Sequence, residues 1–118
     1  MADPFTDALS GLVERCQGIS GAAFTDLDGE DIAHHGDREN LRLCAAYGGI
    51  ALRRLTAAEA RSGRGPIRHV ALHGSAGGLV ALKVGDEYQL VLSLTEGTTP
   101  ARVITAAAET VGALEEHI

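Results

Sequence analysis

The chain has 118 residues, enough for one domain with one core, and its 45% hydrophobic content supports a packed interior. Phe5, Phe24, Tyr47 and Tyr88 are its aromatics and it has no Trp, so that interior must be built from Leu, Val, Ile and Ala. A formal charge of −6 argues against a general nucleic-acid or membrane-surface role, and no apolar run approaches the ~18 residues of a membrane-crossing helix.

The first predicted helix runs from Pro4 to Gln17. Phe5, Leu9, Leu12, Val13 and Cys16 recur along it at helical spacing, with Asp3 as cap and Pro4 in the first turn. Gly18 stops it. A small-residue strand over Ile19 to Thr25 follows, and Asp26-Leu27-Asp28-Gly29 is a turn signal. Glu30 to His34 then forms the returning strand of a hairpin.

The second helix, Arg38 to Arg61, is the longest predicted element, capped by Asp37 and stopped by Ser62-Gly63-Arg64-Gly65-Pro66. At roughly 100° per residue it shows three faces. Leu41, Cys44, Ala45, Gly48, Leu52 and Leu55 form one apolar stripe. Leu43, Tyr47, Ile50 and Arg54 form a second. Arg42, Gly49, Arg53 and Thr56 make up a polar remainder, with Arg38 near its edge. One stripe is enough to dock a helix on a sheet, so the second requires another surface to cover it. Gly48-Gly49 costs helix stability, roughly 1 kcal/mol per glycine, which is ordinarily offset by close approach of another backbone.

Three strands come next, over Ile67 to His73, Gly78 to Val84 and Tyr88 to Leu94, joined by turns short enough for antiparallel neighbours. Leu79-Val80-Ala81-Leu82 and Leu90-Val91-Leu92 are continuous apolar runs, the pattern of strands covered on both faces. Thr99 caps a last helix with Pro100 at its first position, and Val103, Ala107, Val111 and Leu114 line its inner face.

Catalytic signatures are missing. The single lysine, Lys83, precedes Val84 and completes no phosphate-binding loop; Gly63-Arg64-Gly65 lacks the third glycine of a dinucleotide fingerprint. No nucleophile elbow surrounds Ser20, Ser75 or Ser93. His34 and His35 are adjacent and so point to opposite faces of a strand. His69 and His73 share a face but lie roughly 13 Å apart along it, so neither pair alone chelates a metal. Asp26, Asp28, Glu30 and Asp31 lack calcium-loop spacing, because Asp37 stands where a closing glutamate is needed. Cys16 and Cys44, with no C-x-x-C, read as buried thiols of a reduced cytoplasmic protein, and no secretory leader is visible. Metal, cofactor and enzymatic function are therefore not expected. The arginines remain: Arg38, Arg42, Arg53, Arg54, Arg61 and Arg64 concentrate six of ten basic residues on or just beyond the second helix, and arginine suits docking surfaces.

The element order and several segments resemble the Roadblock/dynein light chain family, in particular its bacterial MglB-like members. Leu12-Val13 through Gly18-Ile19-Ser20-Gly21-Ala22 looks like that family's first helix entering a small-residue strand. Asp26-Leu27-Asp28-Gly29 with Ile32-Ala33 looks like its hairpin. The resemblance covers nearly the whole chain and implies one domain over 1–118. It implies an α/β (α+β) Roadblock/profilin-like fold, order α-β-β-α-β-β-β-α, with a five-stranded antiparallel sheet. The long helix lies on one face of that sheet and the terminal helices lie on the other. It also implies a homodimer in which the third strands pair across a two-fold axis and the long helices lie side by side. The expected dimer interface comprises Leu43, Tyr47, Ile50 and Arg54 with Ile67, His69, Ala71 and His73. The expected partner surface comprises Arg38, Arg42, Arg53 and Thr56. Relatives bind Ras-like small GTPases, some as GTPase-activating proteins and others as scaffolds. The implied function is a non-enzymatic module that regulates or scaffolds such a GTPase. The alternative is a scaffold for other Roadblock or signalling proteins without GTPase contact.

Overall fold

A computed structural model describes residues 3–118. Asp3 caps α1 (Pro4–Arg15): its carboxylate accepts from the Phe5 amide at 3.0 Å and from the Thr6 hydroxyl at 2.9 Å. The helix ends two residues before Gln17, because the chain turns at Gly18, which adopts φ +103°. After it come β1 (Ile19–Asp26), β2 (Asp31–His35), α2 (Arg38–Glu59), β3 (His69–Gly74), β4 (Gly77–Val84), β5 (Tyr88–Thr95) and α3 (Pro100–Glu115). The order is the expected one.

The strands form one five-stranded antiparallel sheet in the spatial order β2-β1-β5-β4-β3. The two hairpins β1–β2 and β3–β4 thus sit at opposite edges, with β5 central between β1 and β4. In the first hairpin the Asp26 carboxylate accepts from the amides of Asp28 and Glu30, both at 2.9 Å, which fixes the Asp-Leu-Asp-Gly turn.

Both faces of the sheet are covered. Val80, Leu82 and Val84 of β4 and Leu90, Leu92 and Leu94 of β5 pack with Leu9 and Leu12 of α1 and Val103, Ala107 and Leu114 of α3. Phe24 is fully buried there, with ring centres 5.2 Å from Phe5 and 5.6 Å from Tyr88, so three of the four aromatics serve this layer. The intervening residues Leu79, Ala81 and Val91 point the other way and pack with Cys44, Ala45 and Leu52 of α2. The unbroken apolar runs of β4 and β5 therefore follow from two cores meeting one sheet.

Gly48 and Gly49 allow α2 to lie close on that sheet. A methyl group at Gly48 would come within 2.8 Å of Ala81 Cβ and of Gln89 Oε1, and one at Gly49 would run into the carbonyl of Leu27. Both glycines are buried. Gly49 thus departs from the polar face expected for it, because the β1–β2 turn folds over that side of the helix. Leu55 departs in the other direction and is exposed, since it lies near the end of α2 beyond the buried run that closes at Leu52.

Candidate interaction surface

On α2 the buried positions Leu41, Cys44, Ala45, Gly48 and Leu52 face the sheet. The second stripe faces away: Leu43 is 57% exposed, Tyr47 60% and Ile50 53%. Arg54 lies in the same stripe and is exposed. Leu43, Tyr47 and Ile50 form an apolar ridge on the outer surface of the helix, where none of the described residues covers them.

β3 forms one edge of the sheet on which α2 lies. In the spatial order of the sheet β3 is terminal and pairs only with β4. The Lys83 amide donates to the Arg68 carbonyl at 2.8 Å. Antiparallel pairing alternates, so Val70 and Leu72 also turn their backbone groups toward β4, while His69, Ala71 and His73 turn theirs to the open edge. Side chains alternate as well. Val70 packs against the α2-side core, which places Leu72, 47% exposed, on that same side. The side chains of His69, Ala71 and His73 lie on the opposite face of the sheet, and all three are exposed.

Two expected positions are corrected. Ile67 is not part of the edge strand. It follows Pro66, which has no amide to donate, and its half-buried side chain packs against the core between α2 and the sheet, so strand pairing starts at His69 opposite Leu82. Thr56 is not a free polar contact either, because its hydroxyl oxygen is buried and has no hydrogen-bond partner among the described residues.

The arginines divide. Arg53 is exposed but ion-paired with Asp28 of the β1–β2 turn, so it ties α2 to the hairpin. Arg38, Arg42 and Arg54 are exposed, and among the described residues none of them takes part in an ion pair. Arg38 and Arg42 lie toward the β1–β2 hairpin, with Arg42 also beside Leu43, and Arg54 lies within the second stripe.

Sequence reading missed Gln89. Its side chain is fully buried between α2 and the sheet, and its amide nitrogen donates to the Ala45 carbonyl at 2.8 Å and to the Thr25 hydroxyl at 3.1 Å. The signal was present as one polar residue inside the apolar run Tyr88-Gln89-Leu90-Val91. Nearby, the Asn40 side-chain amide donates to the Ser93 hydroxyl at 3.0 Å, in a groove that also exposes Leu72 and an edge of Cys44. Burial raises the Cys44 thiol above its ordinary pKa, partly offset by hydrogen bonding to Ser93 and to backbone, so it is held as a neutral thiol.

Among the described residues no group of three or more His, Cys, Asp or Glu is placed to hold a metal ion. No helix among the described residues is long and apolar enough to cross a membrane.

No protein-family model and no curated protein sequence matches the chain. Solved structures do. A Roadblock/LC7 domain from Streptomyces avermitilis superposes with a TM-score of 0.84 at 22% identity, covering 95% of both chains. An MglB with tetrameric arrangement gives 0.82 at 18% identity, covering 98% of this chain and 90% of that one. The gliding protein MglB from Thermus thermophilus gives 0.81 at 18% identity, covering 98% and 91%. At these identities the likeness establishes the fold.

Proposed function

We propose that this chain, which has the Roadblock/LC7 fold, is a non-enzymatic binding module that works as a homodimer and docks a Ras-like small GTPase. The observation that carries the reading is the bare apolar ridge of Leu43, Tyr47 and Ile50, together with the unpaired β3 edge of the sheet on which α2 lies. A ridge of three large apolar side chains, each more than half exposed, is stabilised when a second copy covers it. The open strand edge is the other half of the same surface, because an unpaired row of amides and carbonyls invites a partner strand. One structure of the same fold bears the description of a tetrameric arrangement, in keeping with self-association through such surfaces.

The GTPase part of the proposal rests on the resemblance to the Roadblock family together with the exposed cations Arg38 and Arg42 on the hairpin side of α2, which form no ion pair among the described residues. Guanidinium groups free of internal partners are suited to bidentate pairing with carboxylates on a docking protein. In a dimer with the long helices side by side, the two ridges bury each other and Arg38 and Arg42 remain outside. The whole of residues 1–118 acts as one unit in this reading.

The test is a binding assay between the full chain and Ras-like GTPases from the same genome, each loaded with a non-hydrolysable GTP analogue or with GDP. A complex that forms in one nucleotide state and is weakened by Arg38→Ala with Arg42→Ala supports the proposal. Dimers that bind none of these GTPases in either state contradict the GTPase part and leave a scaffold for other proteins.

A further inference from the structure

Within one chain His69 and His73 sit on the same face of β3, both exposed, but four residues apart. At about 3.3 Å per residue they are separated by roughly 13 Å, too far to share one ion. A second copy removes that obstacle. The inference rests on the dimer reading above. Side-by-side α2 helices lie on the same face of the joined sheets, so the two-fold axis must stand perpendicular to the sheet. Residues opposite each other across the edge then face the same side.

The edge offers three outward-turned backbone positions, His69, Ala71 and His73. Only one symmetric register engages all three: Ala71 opposite its own mate, and His69 opposite the partner's His73. The same register sets exposed Leu72 against the partner's Val70 on the α2 side, where an apolar pair is covered by the helices. Hydrogen bonding and apolar burial therefore select the same alignment.

We propose that the paired β3 strands build two equivalent two-histidine sites for a borderline transition-metal ion such as Zn²⁺, each made by His69 of one copy and the partner's His73. Residues directly opposite in a hydrogen-bonded antiparallel pair have Cα atoms about 5.5 Å apart. Two imidazoles starting from that separation can converge on one ion at Zn–N distances of about 2.0–2.1 Å. The histidine faces are open to solvent, so water fills the remaining positions. His69 also lines a groove of about 520 Å³ between α3 and the start of β3, so its side of the sheet is open to a small solvated ion.

The experiment measures Zn²⁺ binding to the full chain by titration calorimetry, with sedimentation velocity on the same metal-free samples. The wild-type dimer is expected to bind about one Zn²⁺ per chain through this two-imidazole ligation. His69→Gln and His73→Gln are surface changes. Each breaks both symmetric sites, so each variant should remain dimeric and bind Zn²⁺ at least roughly tenfold more weakly. Coexpression of the two variants with different tags gives a mixed dimer in which His73 of one chain meets the partner's His69, and about half of the wild-type binding should return. A dimer that binds no Zn²⁺, a single variant that binds like wild type, or a purified mixed dimer without recovery overturns the inference and leaves the dimer reading intact. A wild-type monomer overturns both.

Discussion

The side-chain amide of Gln89 donates to the backbone carbonyl of Ala45 at 2.8 Å, joining the central strand β5 to the middle of α2 inside a fully buried contact. The same nitrogen also reaches the Thr25 hydroxyl on β1. One polar side chain thereby fixes the height and rotation of α2 over the sheet, which sets where the outward ridge points. Gln89→Ala removes the clamp and opens a cavity, and it should cost about 2–4 kcal/mol. Urea denaturation followed by circular dichroism reads this directly, and a loss below about 0.5 kcal/mol would show that α2 is held by its apolar contacts alone.

The glycines of α2 and α3 are expected to respond to alanine with opposite signs. Gly49→Ala drives a methyl into the Leu27 carbonyl, and Gly48→Ala crowds Ala81 and Gln89. Both should destabilise the protein, although alanine is favoured over glycine in a helix by about 1 kcal/mol. Gly112→Ala in α3 meets nothing within 4 Å and should stabilise the protein by up to about 1 kcal/mol. Thermal denaturation of the three variants checks the contrast. A stabilised Gly49→Ala would mean that the β1–β2 turn gives way.

Removal of the Arg53 side chain should affect stability little. Both members of its pair with Asp28 are largely exposed, at 51% and 74%, and such pairs contribute about 0–1 kcal/mol. Arg53→Ala should therefore unfold within about 1 kcal/mol of wild type at moderate salt. A larger loss would mean that the pair locks the turn over Gly49 more firmly than its exposure implies.

Cys44 gives the stability a signature at alkaline pH. Burial raises its thiol pKa in the folded state, so between the unfolded and folded values the native protein holds a proton that the unfolded chain has lost. Stability from this group is complete below the unfolded thiol value of about 8.5 and declines as pH rises through the folded one. Cys44→Ser and wild type compared by urea denaturation from pH 7 to 10 should show a steeper alkaline decline in wild type. Parallel curves would contradict the assignment.

Much of this architecture was legible because periodicity reports burial. The apolar runs of β4 and β5 announced a sheet covered on both faces, and the two stripes of α2 separated the sheet-facing side from the ridge. Local pattern could not supply what depends on a neighbouring element. Gly49 falls on the polar side of a helical wheel and is buried only because the Leu27 carbonyl comes to rest on it. Leu55 fits the inner stripe but sits past the buried stretch of the helix. The expectation for His69, Ala71 and His73 is a paired strand edge, and a linear pattern does not say which face of the sheet their side chains take. Strand alternation puts them opposite α2 and puts Leu72 on the α2 side. Thr56 looked available as a polar surface group, yet its hydroxyl is enclosed.

Sedimentation velocity on the wild-type chain beside Tyr47→Asp with Ile50→Asp bears most directly on the ridge as a self-association surface. Both side chains are more than half exposed in the single chain, so charge there leaves the fold of one copy intact while opposing burial against a second. Wild type should sediment as a dimer at micromolar concentration, and the double variant as a folded monomer with an unchanged circular dichroism spectrum. A wild-type monomer, or a double variant that remains fully dimeric, would contradict the role given to the outer face of α2.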